Sequence, residues 1–348
     1  MTHRLNRSRA CKHGFTLVEL LVTISIIGLL ASFVLFAMAG AQESAKRDRT
    51  RAQIARIDAL LAEKWESYAT RRVSPFVRRY QPHTDGPMGN NGREIQRGDP
   101  RFRTASTVAR VDGIRELMRM ELPARKSDLL LPPVVLRESP FLARAYLSKA
   151  AKMLAKRKGT PLSSESEINS RWSTTHQGAE CLYLILSQMI DEESSALRYF
   201  SDTEIGDVDA DGMPEILDAW GNPIAFLRWA PGFGWNDMSP QQPIAYLAGT
   251  IQDRESNDAF DPAGVYAIQG TFAMYPLVFS AGPDKLYEIN ISPNRNFSSS
   301  IPPNNPYVGL GNYAVSDDLP AGAWVDTNSN GQNDSIDNLH NHLLITGN

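Results

Sequence analysis

The sequence has little cysteine: Cys11 and Cys181 are the only two among 348 residues, which excludes a disulfide framework. A collagen-like or wholly disordered chain is also excluded, because 42% of the residues are hydrophobic and 22% are charged. Cys181 lies in the apolar run 181–186, so we expect a buried side chain that acts as a small hydrophobic residue. The length allows one large domain or two modest ones.

Acidic residues are missing from the first 14 positions, which carry four basic ones. Residues 43–158 contain 26 basic against 13 acidic residues, whereas residues 159–348 contain 6 against 25. The formal net charge of −3 therefore conceals a basic middle and an acidic end. We expect the basic middle to face anionic lipid headgroups or the acidic surface of a neighbouring chain, with nucleic-acid phosphates as the alternative. The clusters available for such contacts are Arg71-Arg72, Arg78-Arg79-Tyr80 and Lys156-Arg157-Lys158.

The longest apolar run covers residues 15–41 and contains one charge, Glu19. It exceeds the roughly 20 residues that a helix needs to cross a bilayer. A secretory signal peptide is the alternative, but the run is long for a signal peptide and no clear small-x-small cleavage site ends it. A carboxylate inside such a span is costly, which favours a functional role for Glu19.

The start of this run resembles the signature of type IV prepilins, in the residues His13-Gly14-Phe15-Thr16-Leu17-Val18-Glu19-Leu20. The resemblance implies that a prepilin peptidase cleaves between Gly14 and Phe15 and methylates the new amine. Residues 1–14 would then be a leader peptide, and Cys11 would leave with it. In a filament, the N-terminal ammonium of a neighbouring subunit could pair with Glu19 and fix the register of assembly.

The apolar run predicts the first half of a long helix. Residues 15–41 would be the transmembrane and assembly helix, and residues 42–70 its periplasmic half. Glycine and proline are missing between residues 41 and 70, where apolar residues recur at helical spacing. These residues are Ile54, Ile57, Leu60, Leu61 and Trp65.

Beyond residue 70 the sequence predicts two further regions. We expect residues 71–200 to be a linker and helical insertion, with little order over 71–110 and helices at 111–120, 140–158 and 178–193. We expect residues 201–348 to form a β-rich domain, with strands at 224–229, 243–247, 265–268 and 275–279. Helices followed by an antiparallel sheet predict an α+β fold, in which the long membrane-spanning helix packs on the sheet domain.

An acidic segment at 207–218 has the spacing of a calcium loop. Oxygen ligands occupy positions 1, 3, 5, 9 and 12, a glycine occupies position 6, and the residue at position 7 can offer its carbonyl. The alternative is a solvated, aspartate-rich β-turn. The candidate ligands of Ca²⁺ are Asp207, Asp209, Asp211, Met213, Glu215 and Asp218.

A second segment, 326–337, repeats this spacing with two asparagines that lower its charge. Weak calcium sites of this kind are typical of extracellular modules, and an asparagine-rich surface loop is the alternative. The candidate ligands are Asp326, Asn328, Asn330, Gln332, Asp334 and Asp337.

A second resemblance concerns the acidic end of the chain. The residues Asp218-Ala-Trp-Gly-Asn-Pro-Ile224 and the segment 275–284 resemble the major pseudopilins of type II secretion. Those proteins bind calcium in their C-terminal β-region, where Asp284 could contribute. The resemblance implies a pseudopilin in the inner membrane with a periplasmic domain, whose partners are other pseudopilins, the inner-membrane assembly platform and membrane lipid.

Two other functions stay open at this point. One is a minor pilin of a surface or DNA-uptake pilus, with an adhesive or DNA-binding role. The other is a signal-anchored enzyme, although no Ser/His/Asp set is evident from spacing and we expect no catalysis. His340 and His342 could hold a transition metal, but a polar C-terminal loop is the favoured interpretation.

Overall fold

The computed structural model describes residues 16–76, 97–98, 100, 102–162, 164–191, 194–230, 232–233, 258–262, 264, 273–291, 321–325 and 338–342. The chain divides into two compact units, Met1–Asp48 and Arg49–Asn348. Helix α1, Leu17–Thr70, contributes residues to both. Its apolar side chains from Leu17 to Met38 are exposed, and it is one helix of the described chain that is long and apolar enough to cross a membrane.

Within the second unit, α1 buries one stripe of side chains in the core. The stripe follows the three- and four-residue spacing of a helix face, because residues at that spacing lie above one another along the axis. It confirms the predicted helix up to residue 70, with Leu60 partly buried at its edge. The buried residues are Thr50, Gln53, Ile54, Ile57, Leu61, Trp65 and Tyr68.

Five more α-helices follow in the described residues: α2 (Phe102–Glu121), α3 (Lys126–Leu130), α4 (Phe141–Lys158), α5 (Glu165–Arg171) and α6 (Gln177–Gln188). The predicted helix at 140–158 is confirmed, and it ends at Gly159 with a left-handed φ of 67°.

The predicted low order of residues 71–110 is wrong for the part that forms the start of α2. The hydroxyls of Ser106 and Thr107 donate to the carbonyl of Arg103 at 2.8 and 3.1 Å, so these polar side chains are satisfied within the helix. Val108 and Ala109 are buried, which adds packing energy to the same turn. The helix predicted at 178–193 is also too long, because Ile190 already pairs with Ser195 in a hairpin.

The strands are short and pair antiparallel in every sheet that the structure describes. Two-stranded sheets join β1 (Ile190–Asp191) to β2 (Ser194–Ser195) and β3 (Ile205–Gly206) to β4 (Glu215–Ile216). A three-stranded sheet has the order β5 (Ala225–Leu227), β6 (Leu277–Ser280) and β7 (Leu339–His340).

Two of the predicted strands can be checked, and both are confirmed. The predictions at 224–229 and 275–279 correspond to β5 and β6. Those at 243–247 and 265–268 lie outside the described residues. The helices and small antiparallel sheets together make the fold α+β, as predicted.

Helix α6 occupies the centre of the second unit, in contact with α4, β4 and β5. Cys181, Leu182, Leu184 and Leu186 are each 0% exposed, which confirms the predicted burial of Cys181. The helix begins against the backbone of β5: a Cβ on Gly178 would lie 3.0 Å from the carbonyl oxygen of Phe226. The packing of α6 on β4 also places the first turn of the helix beside the β3–β4 hairpin.

Candidate functional site

The first candidate site is the N-terminus of α1, where Thr16 and Glu19 cap the helix. The Thr16 backbone N–H donates to Oε2 of Glu19 at 3.1 Å, and the Glu19 N–H donates to Oγ1 of Thr16 at 3.2 Å. This reciprocal pair is a capping box, which satisfies two N–H groups that a helix start leaves open. Glu19 is exposed. Gly14 and Phe15 lie outside the described residues.

The second candidate site is the loop that joins β3 to β4, which contains the first predicted calcium segment. Ala210 and Gly212 adopt left-handed φ values of 58° and 107°, and these turn the chain back on itself. The N–H of Gly212 donates to Oδ2 of Asp207 at 3.0 Å, and the N–H of Met213 donates to Oδ1 of Asp211 at 2.6 Å. The loop's own amides thus orient two of its carboxylates.

Two buried glutamates stand against this loop. Glu215, in β4, is 0% exposed, and its Oε2 accepts a hydrogen bond from the N–H of Val208 at 3.0 Å. Glu180, in the first turn of α6, is also 0% exposed, and its Oε2 accepts a 2.5 Å hydrogen bond from Nε1 of Trp172. The other oxygen of each glutamate, Oε1, has no hydrogen-bond donor among the described residues, and neither does Oδ2 of Asp209.

Five carboxylates meet here in two groups that share Asp209. Oxygen atoms of Glu180, Asp209 and Glu215 lie within 4.8 Å of one another, and so do oxygen atoms of Asp207, Asp209 and Asp211. We call these five residues the carboxylate cluster. Hard oxygen ligands at this density suit a Ca²⁺ ion, which takes six to eight oxygens.

The negative charge of the cluster is visible in its pKa values. Burial, reinforced by the charges of Asp211, Asp209 and Glu215, raises the pKa of Glu180 to about 10, against the opposing hydrogen bond from Trp172. Burial and the three loop aspartates raise the pKa of Glu215 to about 8. Burial also raises the pKa of Asp211, although it accepts hydrogen bonds from the N–H groups of Ser173 and Met213. Bringing a cation into the cluster would relieve this repulsion.

The last predicted ligand of the segment, Asp218, lies apart from the cluster. Its Oδ1 accepts hydrogen bonds from the N–H groups of Trp220 and Asn222, both at 2.8 Å. Its Oδ2 accepts from the Ser280 hydroxyl at 2.6 Å and from Nδ2 of Asn222 at 3.2 Å. Asp218 therefore holds the following turn against the end of β6. The structure brings together four of the predicted side-chain ligands and leaves out the residue at position 12.

Of three further predicted features, the structure describes Met213 and Asp284. Met213 lies in the loop with its side chain buried. The second segment, with Asp326, Asn328, Asn330, Gln332, Asp334 and Asp337, lies outside the described residues. Asp284 lies in a short 3₁₀ turn after β6, where its Oδ1 accepts the N–H of Leu286 at 2.9 Å.

Sequence reasoning missed Glu180, although the sequence contains a signal for it. Glu180 is the one charged residue between Gln177 and Gln188 in an otherwise apolar helix. A lone carboxylate on a buried helix requires a partner, by the reasoning that singles out Glu19 in the apolar run.

The basic middle of the chain is described in part. Nη2 of Arg71 lies 2.9 Å from Oε1 of the buried Glu121, and Nζ of Lys64 lies 2.7 Å from its Oε2. Arg71 is therefore committed at least partly to an internal ion pair. Residues 78–80 and the side chains at 157 and 158 lie outside the described part.

Comparison with known proteins gives a match for the N-terminal segment of the chain. The family described as the prokaryotic N-terminal methylation motif matches residues 9–35. No curated protein and no solved structure gives a match. The motif implies processing by a prepilin peptidase and assembly with other pilins, and together with the apolar part of α1 it suggests a membrane anchor. The chain therefore carries a prepilin-type N-terminal methylation motif, which is consistent with a type IV pilin-like protein.

Proposed function

We propose that the chain is a structural pseudopilin of a type II secretion system or a related machine. It assembles into a pseudopilus from the inner membrane after cleavage between Gly14 and Phe15, and its second unit lies in the periplasm. The observation that carries this proposal is the methylation motif at 9–35, which ends inside an exposed apolar helix. The role is structural, without catalysis.

The exposed apolar side of α1 supports this role. Its residues from Leu17 to Met38 include large side chains that are about half exposed or more. Such a surface is stable only in lipid or against other apolar helices. The helix of a pseudopilin meets both environments in turn, since the subunit is first embedded in the membrane and then packs against other subunits in a filament. The partners are thus membrane lipid, other pseudopilins and the inner-membrane assembly platform.

Glu19 would control the passage from one environment to the other. In the single chain its carboxylate is held by Thr16. In a filament the N-terminal ammonium of a neighbouring subunit would compete for the same oxygens, because a full positive charge attracts a carboxylate in an apolar environment more strongly than uncharged N–H and O–H donors do. A subunit out of register would leave both charges unpaired, which is strongly unfavourable.

Calcium is the proposed structural cofactor. Its ligands would be the oxygens of the loop after β3, with a second ion at 326–337. The ion would supply positive charge to a loop whose carboxylates repel one another, and so hold the loop in one conformation. The orphaned, buried oxygens of Asp209 and Glu215 support this assignment.

The experiment is incorporation of Glu19→Gln into filaments in cells that carry the assembly machinery. We expect normal membrane insertion and normal leader cleavage, but at least a tenfold loss from the sheared or cross-linked filament fraction. Glu43→Gln is the matched control, because Glu43 is a partly exposed carboxylate on the same helix, 3.8 Å from Arg47. Normal incorporation of Glu19→Gln would contradict the proposal, and so would an equal loss in the control.

The choice of machine needs a second measurement. Deletion of the chain should leave secreted proteins trapped in the periplasm if it serves type II secretion. Loss of surface filaments or of DNA uptake, with secretion intact, would favour the minor pilin instead.

A further inference from the structure

Two buried glutamates lie beside the β3–β4 loop, although neither belongs to its first five positions. Glu180 comes from the first turn of α6 and Glu215 from β4. A buried carboxylate without partners is strongly unfavourable, so oxygens left in this state indicate a missing cation or donor. Both glutamates are 0% exposed, and Oε1 of each has no donor among the described residues.

The arrangement of the oxygens matches one ion. Ca²⁺–oxygen distances are about 2.4 Å, so two ligands on opposite sides of the ion lie about 4.8 Å apart. Oxygen atoms of Glu180, Asp209 and Glu215 all fall within 4.8 Å of one another. They can therefore lie on one calcium coordination sphere, with Asp209 as the link to Asp207 and Asp211.

We propose that Glu180 and Glu215 bind one Ca²⁺ ion together with Asp209, and that Asp207 and Asp211 complete its carboxylate shell. This inference rests on the calcium binding proposed above and changes the ligand set. Glu180, from a distant helix, takes the place that the loop spacing assigns to Asp218. The site is thus a cage between two elements rather than a loop that binds calcium alone.

The ligand chemistry favours calcium over other common ions. Every member of the cluster is a carboxylate, whereas zinc sites in proteins use histidine and cysteine. Magnesium requires a tight octahedron with several waters, which a set of five bulky carboxylates fits poorly. Calcium accepts irregular geometry and bidentate carboxylates.

The bound ion would tie α6 to the β3–β4 hairpin. Helix α6 is in the middle of the core, whereas the loop is partly exposed. The hairpin itself is held by two paired residues on each strand. An ion that bridges the two elements would thus order the hairpin through the core.

Trp172 provides a probe for this site. Its Nε1 lies 2.5 Å from Oε2 of Glu180, so an ion bound by Glu180 lies within a few ångströms of the indole. Terbium replaces calcium in oxygen sites, and it emits when a nearby tryptophan is excited. Terbium emission that disappears in Trp172→Phe therefore comes from an ion in the cage. Emission from an ion held at 326–337 would persist, because Trp324 would still excite it.

The experiment titrates the full-length chain in detergent with Tb³⁺, and then displaces Tb³⁺ with Ca²⁺. We expect Glu180→Gln to weaken binding at the Trp172 site by at least tenfold. Asp218→Asn is the matched control, because it removes a carboxylate that the loop spacing includes and the structure places elsewhere. We expect it to change the affinity by less than threefold.

Folding can be checked separately. A glutamine at 180 can still accept the Trp172 hydrogen bond, and it replaces a carboxyl group whose Oε1 has no donor among the described residues, so the calcium-free variant should melt no lower than the parent. Its gain in melting temperature on adding Ca²⁺ should shrink. Circular dichroism without calcium shows whether Asp218→Asn keeps its fold. If it does not, Glu215→Gln against Asp284→Asn gives the same comparison, since Asp284 lies outside the cluster.

Three outcomes would overturn the cage. They are a loss of affinity in Asp218→Asn but not in Glu180→Gln, a signal that Trp172→Phe leaves unchanged, and no binding at millimolar calcium. None of these would touch the filament role, which the Glu19→Gln incorporation assay decides. A chain that assembles normally and binds no calcium would refute the cage and the proposed calcium cofactor, and it would leave the filament role standing.

Discussion

Glu116 in α2 and Glu180 in α6 are both 0% exposed, but their surroundings differ. Glu116 accepts backbone N–H groups from Val134, Val135 and Leu136 at 2.8, 2.7 and 2.6 Å. Glu180 accepts one hydrogen bond, from Trp172, and its second oxygen has no donor among the described residues. The fold thus provides hydrogen-bond donors for both oxygens of Glu116 but for only one oxygen of Glu180. A satisfied buried charge serves the structure, whereas an unsatisfied one points to a ligand.

The same contrast separates two aspartates of one sequence segment. Asp218 accepts four hydrogen bonds and lies in a turn. Asp209 has an orphaned Oδ2, and an oxygen of its carboxylate lies within 4.8 Å of oxygens of Glu180 and Glu215. Spacing along the chain places Asp209 and Asp218 in one calcium loop. Their hydrogen bonds indicate instead that Asp218 stabilises a turn and that Asp209 is available to a ligand.

The most direct test of the difference between Glu116 and Glu180 is the same substitution, glutamate to glutamine, at both positions. Glu116→Gln should destabilise the chain by about 3 kcal/mol, because an amide cannot accept from three N–H groups that a charged carboxylate satisfied. Glu180→Gln should not destabilise the calcium-free chain, because Oε1 of the carboxyl group that it replaces has no donor among the described residues, and the amide can still accept the Trp172 hydrogen bond. The measurement is urea denaturation of the full-length chain in detergent and chelator. Equal losses in both variants would remove the distinction.

The sequence predicts the long helix α1 better than it predicts the β-region. Helix α1 follows from two regular patterns, the apolar run and then the stripe that includes Ile54 and Trp65, and both patterns are local. The β-region is harder, because its strands are two to four residues long and pair across large separations. Leu339 of β7, for example, pairs with Ser280, and no local pattern carries that information.

The candidate site shows the same limit. The alternating aspartates at 207, 209 and 211 are visible in the sequence, because a tight loop presents every second residue to one point. Glu180 stands out in the sequence as a lone carboxylate in an apolar helix, but its approach to the loop depends on how α6 packs against β4. Asp218 satisfies the spacing rule, yet the turn that follows it provides N–H donors from Trp220 and Asn222, and these compete for its oxygens.

His340 and His342 differ from both kinds of carboxylate, because the fold keeps these two imidazoles neutral. Burial lowers the pKa of His340 to about 3, with a contribution from His342, and lowers that of His342 to about 4, against the hydrogen bond to Pro276. The ordinary value is 6.5. Below pH 6.5 the unfolded chain therefore takes up protons that the folded chain refuses. The stability present above pH 6.5 should fall as the pH drops towards 4.

The size of this effect follows from linkage. Each histidine should remove about 1.4 kcal/mol per pH unit between pH 6 and pH 5. His342→Gln should lower the slope by one histidine's share, while the amide can still donate to the carbonyl of Pro276, which lies 3.2 Å from Nε2. Urea denaturation at several pH values measures the slope. An unchanged slope would mean that His342 is accessible to protons in the folded chain.

We expect the smallest effect at the ion pair of Arg49 and Glu204, in which the arginine is exposed and the glutamate is largely buried. This pair tests whether exposure of one partner lowers the value of a contact. Nη2 of Arg49 lies 2.8 Å from Oε1 of Glu204, as close as many buried pairs, but the Arg49 side chain is 53% exposed. Water would hydrate this guanidinium after its partner is lost, so Arg49→Gln should cost less than about 1 kcal/mol. Gln53, whose Nε2 lies 2.7 Å from the same oxygen, would continue to donate a hydrogen bond to Glu204.

The stability cost of Arg49→Gln should fall further in 0.5 M salt, because screening acts on exposed charges at about a 4 Å length scale. A cost that equals that of Glu116→Gln and ignores salt would show that distance, rather than burial, sets the value of these contacts.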